Sequence, residues 1–286
     1  MLDYVALATL SEIIRRGSFE AAAAALGITP SAVSQRIKGL EERLGQVLIH
    51  RGPPASGTAT GLRLMQHLDQ VRLLEQGLGA SLQPPAVLRI AVNADSLATW
   101  FPPAMAALPV LYDLVVDDQD HARDWLRQGQ VSAAISSDPQ PVPGCDVLAL
   151  GSMRYLALAT PDFLARHFAA GVTAASLRAA PAIIFNAKDA LQSQWAQMAT
   201  GRHLHLPGHR IPASEPFARA VELGLGWGMI PEAMAASALR DGRLRPLIPG
   251  QPLDVALHWH VQRAMAPALA PLTAAIRKRA AAELRP

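Results

Sequence analysis

The stretch FEAAAAALGITPSAVSQRIKGLEERLG, residues 19–45, constrains the fold of this chain more than any other segment. Alanine is the strongest helix former, and its small side chain lets a neighbouring helix approach closely. Gly27 is suited to end a first helix in a left-handed conformation. Thr29 is suited to cap a second helix, and Pro30 to begin it. The segment therefore predicts a tight helical hairpin.

The second helix of the hairpin has one apolar and one polar face. Spacings of four, three and four place its apolar residues in a single stripe: Val33, Ile37, Leu40 and Leu44. Short polar groups and a cation on the other face suit the base edges and phosphates of DNA. An ordinary hairpin with a solvated polar face is the alternative. The predicted DNA-binding residues are Thr29, Ser31, Ser34, Gln35, Lys38 and Arg51.

Residues 1–57 predict a winged helix-turn-helix with helices at about 2–15, 18–26 and 30–44, because the extended stretch VLIHRGPPASGT follows the hairpin. Residues 1–85 contain eight Lys and Arg against seven Asp and Glu. DNA binding must therefore come from the local placement of charge and not from a basic tail.

Residues 58–82 predict one long linker helix. Its leucines and valine recur at spacings of three and four residues, like the apolar positions of a coiled coil: Leu64, Leu68, Val71, Leu74 and Leu78. No neighbouring segment offers a partner, so we expect this apolar seam to meet a second copy in a homodimer or homotetramer. Packing on the C-terminal part of the same chain is the alternative.

Residues 87–286 alternate short apolar runs with helical stretches, which predicts an α/β fold with a largely parallel sheet. The strand before Pro161 and the late strand VALHWHV are suited to cross between two lobes. We expect lobe I at about 87–160 and 262–286, and lobe II at about 161–261.

Composition limits the function further. One cysteine excludes an internal disulfide, and neither a signal peptide nor a twenty-residue apolar run is visible. We expect a cytoplasmic protein without a membrane partner. The sequence contains neither a nucleophile signature nor a convincing metal site, since the histidines of HLHLPGH (residues 203–209) alternate as on a surface strand. We therefore expect no enzyme activity, catalytic residue, metal or cofactor.

These features together resemble the LysR-type transcriptional regulators. ITPSAVSQRIKGLEERLGQVLIHR (residues 28–51) carries the likeness to the large family. VNADSLATWFPPAM (residues 92–105), with PVPGC, SEPFARAVELG and MIPE, is similar to the ArgP/LysG branch, which controls export of basic amino acids. The resemblance implies a winged helix-turn-helix, a linker helix and a two-lobed effector domain like periplasmic binding proteins. It also implies double-stranded DNA and a small effector, lysine or arginine, as partners.

The strand end VNADSLATW predicts an effector-binding segment. A helix that starts at Ser96 or Leu97 offers free backbone N–H groups to a carboxylate, with Thr99 as a further donor and Trp100 as a pocket wall. A simple N-cap and a core tryptophan are the alternatives. The resemblance implies that Asp118 and Glu215 meet the effector's ammonium groups; solvated or helix-start charges are the alternative. The competing functions are a LysR-type regulator with another effector and a solute-binding protein.

Overall fold

The computed structural model describes residues 2–76, 86–116, 122–127 and 129–286. Three helices form the N-terminal part: α1 (Tyr4–Arg16), α2 (Phe19–Leu26) and α3 (Pro30–Leu44). Thr29 Oγ1 accepts a hydrogen bond from the Ala32 N–H at 3.2 Å, and Gly27 ends α2 with φ of +65°. The hydrogen bond and the left-handed glycine confirm the predicted hairpin, because Gly27 ends α2 and Thr29 caps α3 as their residue types favour.

The alanines of α2 contribute to close packing on one side only. Ala22 and Ala23 are buried where α2 packs against α1 and α3, whereas Ala24 and Ala25 are exposed. The hairpin is followed by the expected wing, in which β1 (Ile49–His50) pairs antiparallel with β2 (Ser56–Gly57).

The linker helix α4 spans Ala59–Gln76 within the described residues. Leu68 is 3% exposed and lies, with Leu64 against it, in the N-terminal core, where α1 packs on α4. The prediction that Leu68 faces a second copy is therefore wrong, because α1 of the same chain covers it. Leu74 is 44% exposed, and Leu78 lies outside the described residues.

The first half of the C-terminal part consists of four strands with three short helices among them: β3 (Val87–Val92), α5 (Ala94–Ala98), α6 (Pro102–Met105), β4 (Leu111–Val116), α7 (Ala122–Arg127), β5 (Ala133–Ser136) and β6 (Cys145–Ala159).

The second half continues with these elements: α8 (Pro161–His167), α9 (Ala174–Ala179), β7 (Ala182–Ile184), α10 (Leu191–Thr200), β8 (Gly208–Arg210), α11 (Ser214–Glu222), β9 (Gly228–Pro231), α12 (Glu232–Arg240), β10 (Arg245–Pro246), β11 (Leu253–Gln262), a 3₁₀ turn (Arg263–Met265) and α13 (Ala270–Glu283).

The main sheet has the strand order β10–β6–β11–β5–β3–β4, with β9 also on β6. Strand β3 runs parallel to β4 and β5, but β11 runs antiparallel to β5 and β6, and β6 runs antiparallel to β9 and β10. The expectation of a largely parallel sheet is therefore wrong. The reason is the two long crossing strands: one leads from the first lobe to the second and the other returns, so they run in opposite directions.

The crossing strands themselves lie where the sequence predicts them. Strand β6 pairs with β11 from Cys145, opposite Gln262, to Tyr155, opposite Leu253, and β6 then pairs with β9 of the second lobe. We call the elements from β3 to β5, together with α13, the first lobe, and the elements from α8 to β10 the second lobe. Among the described residues, no helix combines the length and apolar character needed to cross a bilayer.

Candidate DNA-binding face and interlobe cleft

Helix α3 presents the polar face that its sequence predicts. Ser31, Gln35 and Lys38 are exposed and Ser34 is half-buried. The apolar stripe of the same helix, by contrast, is largely buried in the N-terminal core: Val33, Ile37 and Leu40. The burial pattern leaves the polar groups of α3 accessible to a nucleic acid.

Two cations accompany this face. Lys38 Nζ lies 3.8 Å from Glu42 Oε1, one turn further along α3. Both side chains are mostly exposed, and exposed pairs of this kind contribute little to stability, so Lys38 is free to exchange Glu42 for a phosphate. Arg51 follows the wing strand β1; its guanidinium carbon lies 5.5 Å from the ring centroid of Phe19 and its Nη2 3.6 Å from Glu41 Oε2. These contacts place Arg51 beside α2 and α3.

A cavity of about 360 Å³ lies between the two lobes. The end of β3 and the start of α5 line it from the first lobe. The starts of α10 and α11 line it from the second lobe, and β6 and β11 line it from the crossing. Its position beyond a strand end is where open α/β folds hold small ligands.

Asp95 joins the two lobes inside this cavity. Its Oδ1 accepts a hydrogen bond from Ser214 Oγ at 2.6 Å, and its Oδ2 accepts one from the Tyr155 hydroxyl at 2.7 Å. Ser214 begins α11 in the second lobe, and Tyr155 lies on the crossing strand β6. Burial raises the pKa of Asp95; the two hydrogen bonds oppose that rise and the negative charge of Asp189 adds to it.

Asp189 supplies a second carboxylate from the opposite lobe. It accepts hydrogen bonds from the backbone N–H of Phe185 at 2.8 Å and of Leu191 at 3.0 Å, which fix it at the start of α10. Asp254 also lines the cavity, but it forms a bidentate ion pair with Arg154 at 2.8 Å, and this contact lowers the pKa of Asp254. Asp95 and Asp189 therefore place two carboxylates in the cavity from opposite lobes, and Lys188 also lines it.

The structure does not bring Ser96, Thr99 and Trp100 to this cavity. Helix α5 starts at Ala94 and not at Ser96 or Leu97, so Ser96 is fully buried and Thr99 Oγ1 donates to the Asp95 carbonyl at 2.6 Å. Trp100 is 3% exposed, and with Thr99 it lines a different cavity of about 280 Å³ beside α12 and the end of α13. Trp100 therefore packs into the core and does not form a wall of the interlobe cavity.

Of the two acidic residues expected at the cleft, the structure describes only Glu215. Glu215, the second residue of α11, is exposed and does not line the interlobe cavity, although its neighbour Ser214 does. Asp118 lies outside the described residues. Within the described ranges, no cluster of three His, Cys, Asp or Glu side chains is arranged to bind a metal ion.

Sequence reasoning missed the residues that line the cavity. Asn93 is 5% exposed, and its Oδ1 has no hydrogen-bond partner among the described residues. The motif VNADSLATW contains both Asn93 and Asp95, so the sequence indicates this part of the cavity. Ser214 is the first residue of the motif SEPFARAVELG, whereas no local pattern marks Tyr155 or Asp189, and only the fold brings these three residues to the cavity of Asp95.

Comparisons with known proteins agree with this architecture. A family described as the LysR substrate binding domain matches residues 72–281, and one described as the bacterial regulatory helix-turn-helix protein, lysR family, matches residues 5–62. The HTH-type transcriptional regulator ArgP of Pseudomonas aeruginosa is 45% identical over 285 residues, which cover 96% of this chain and 94% of that protein.

Solved structures extend the likeness to three dimensions. The crystal structure of ArgP from Mycobacterium tuberculosis is 42% identical, with a TM-score of 0.82 over 100% of this chain and 99% of that chain. Full-length LysG from Corynebacterium glutamicum with bound effector Arg is 36% identical, with a TM-score of 0.68 over 100% of both chains.

The relatives confirm both the predicted fold and the prediction of a regulator that is not an enzyme. Their agreement covers the N-terminal helix-turn-helix and the two-lobed domain, which is of the periplasmic-binding-protein type. The chain belongs to the LysR family of transcriptional regulators, in its ArgP/LysG branch.

Proposed function

We propose that this protein regulates transcription in the cytoplasm in response to a basic L-amino acid, arginine or lysine, held between its lobes. The single observation that carries the proposal is the pair of carboxylates, Asp95 and Asp189, that line one cavity from opposite lobes. Two like charges near each other disfavour ionisation of both, and a bound cation relieves that cost. A basic side chain is therefore the ligand group that this cavity selects.

The interlobe contact gives a physical reason for a response to the ligand. Asp95 holds Ser214 of the second lobe at 2.6 Å, so a cation that approaches Asp95 acts on a contact between the lobes. For the response to be allosteric, the ligand must bind one arrangement of the lobes better than another. The bound arginine of the Corynebacterium glutamicum LysG structure supports the assignment of the ligand class. Asp118 stays a candidate for one of the ammonium groups.

The DNA contact follows from the exposed face of α3. We propose that α3 enters the major groove of double-stranded DNA with Ser31, Ser34, Gln35 and Lys38 towards the bases and phosphates. Helix-turn-helix proteins commonly bind two half-sites as dimers, so we also propose that this protein acts as a homodimer or homotetramer. The similarity to the ArgP/LysG branch favours a gene for an amino-acid exporter as the target. A solute-binding protein has no use for the N-terminal hairpin, which disfavours that alternative.

Titration calorimetry of the full chain tests the effector assignment. L-arginine, L-lysine, L-methionine and L-leucine are compared, because methionine and leucine have similar bulk without a cation. We expect saturable binding of arginine or lysine and at least tenfold weaker binding of both neutral amino acids, about 1.4 kcal/mol. Equal affinity for leucine or methionine would contradict a basic effector.

A further inference from the structure

Helix α4 is held by both halves of the molecule. Leu68 lies in the core of the N-terminal part, and Asp69 accepts two hydrogen bonds from Arg15 of α1 at 2.6 and 2.7 Å. One turn further along, Leu73 is buried among core residues of the first lobe. The position of the DNA-binding part therefore depends on how α4 is seated against the first lobe.

Among the described residues, Gln262 at the end of the crossing strand β11 forms a hydrogen bond with α4. Gln262 Oε1 accepts a hydrogen bond from Gln70 Nε2 of α4 at 2.7 Å. Gln262 Nε2 donates to the Val131 carbonyl at 2.9 Å, and its backbone N–H donates to the Ser132 carbonyl at 3.0 Å. The carboxamide is thus held at both ends, so its orientation follows the position of the strand that carries it.

Gln262 is the last residue of β11, and the first residues of the same strand line the interlobe cavity. Leu253, Val255 and Ala256 form part of the cavity wall, and a strand of this length extends for roughly 30 Å. One strand therefore connects the cavity directly to the helix that carries the DNA-binding part. A displacement of β11 along its axis reaches Gln70 without any intermediate loop.

A buried side chain of α4 next to this contact lacks hydrogen-bond partners. Gln66, one turn before Gln70, is 5% exposed, and neither of its carboxamide atoms has a hydrogen-bond partner among the described residues. Gln66 lines a cavity of about 180 Å³ between α4 and the first lobe. A buried unpaired carboxamide is costly, and the adjacent cavity leaves space next to α4 on the side of the first lobe.

We propose that Gln262 and Gln70 are positioning residues that couple the interlobe cavity to the DNA-binding part. The inference rests on the proposed function, since it requires a ligand in the cavity. The ligand shifts β11. The hydrogen bond from Gln70 to Gln262 is formed in one arrangement of the lobes and broken in the other. The position of α4 against the first lobe changes with it. Coupling of this kind is a measurable free energy between two sites.

The test compares operator DNA affinity with and without saturating L-arginine in the full chain. Coupled sites in allosteric proteins change each other's affinity by roughly 5- to 150-fold. We expect Gln262→Ala and Gln70→Ala each to bring the ratio of the two DNA dissociation constants to about one. The affinity for arginine, measured by calorimetry without DNA, should stay within about twofold of wild type, since neither side chain lines the interlobe cavity.

Controls separate coupling from folding. Gln70→Ala removes only the contact with Gln262, so it stays informative where Gln262→Ala also disturbs Val131. Gln197→Ala, at an exposed glutamine of α10, should behave as wild type. Wild-type coupling in both contact variants would overturn the inference while leaving the proposed function intact. Absence of arginine binding to the wild-type protein would overturn the proposed function and, with it, this inference.

Discussion

At the scale of the residue, Asp95 shows why the cleft could be only partly predicted. The motif VNADSLATW indicates its segment, but the contacts of Asp95 are with Ser214, 119 residues away, and Tyr155, 60 residues away. The caps of the hairpin helices were predictable because each rests on residues within one turn, as Thr29 and Ala32 do. The sequence does not fix the start of α5 to the residue: the helix begins at Ala94, and neither Ser96 nor Thr99 lines the interlobe cavity.

The raised pKa of Asp95 predicts a pH dependence of effector binding. Asp95 is a carboxyl group whose folded-state pKa lies above its unfolded value of 3.8. Its contribution to stability is therefore fully present below 3.8 and is lost as the pH rises through the raised folded pKa. A cationic ligand requires the carboxylate, so arginine affinity should fall as the pH is lowered through that raised pKa. Calorimetry at a series of pH values measures this dependence.

The control for this prediction is Asp95→Asn, which keeps the size of the side chain and cannot ionise. Asp189 and Lys188 also line the cavity, and both remain in this variant. Asp95→Asn should flatten the pH profile and weaken arginine binding near neutrality by about 2–5 kcal/mol, as loss of a buried charge partner does. An unchanged affinity in the variant would remove Asp95 from the effector site.

Two substitutions on α3 distinguish contacts with the DNA phosphates from contacts with the bases. Lys38→Ala should weaken binding to all sequences and reduce the slope of its salt dependence by about one, because a phosphate contact releases a counterion. Gln35→Ala should relax specificity at one or two base pairs, by about 1–3 kcal/mol per contact. Fluorescence anisotropy with operator and scrambled DNA at several salt concentrations measures both effects. Unchanged binding in both variants would show that α3 lies outside the interface.

At the scale of the element, the sequence predicts the helix α4 correctly but not the surface against which it packs. The periodicity of Leu64 and Leu68 predicts an apolar stripe, but a stripe does not specify what covers it. In the structure α1 covers this part of the stripe, and Leu73 turns towards the first lobe instead. The direction of the crossing strands was missed for a similar reason, since hydrophobic runs predict strands without their relative direction.

Burial of Leu68 within its own chain predicts a loss of stability and not of assembly. Leu68→Ala leaves a cavity between α1 and α4, and substitutions of this kind cost roughly 2–5 kcal/mol in well-packed cores. Thermal unfolding followed by circular dichroism should show the N-terminal part melting at a lower temperature. Replacement of the neighbouring exposed Arg63 by Ala is the matched control and should leave the melting temperature nearly unchanged.

At the scale of the whole molecule, the surface left after folding decides where a second copy can bind. With Leu68 buried, Leu74 is the member of the predicted seam that the described residues leave substantially exposed. Tyr4 and Val5 of α1 are also exposed, and the Tyr4 ring stacks on His67 of α4 with 6.1 Å between centroids. The exposed side of the α1–α4 pair therefore carries apolar groups suited to contact another chain.

We expect Leu74→Glu to separate the protein into smaller species without unfolding it. The side chain is 44% exposed within the chain, so a carboxylate there stays hydrated in the free protomer. In an interface between two copies the same carboxylate loses water and finds no partner, which is strongly unfavourable. Light scattering should show a lower mass and anisotropy a weaker affinity for operator DNA, while Leu74→Met keeps the apolar surface and the wild-type mass. If Leu74→Glu also keeps the wild-type mass, the copies associate through a surface other than α4.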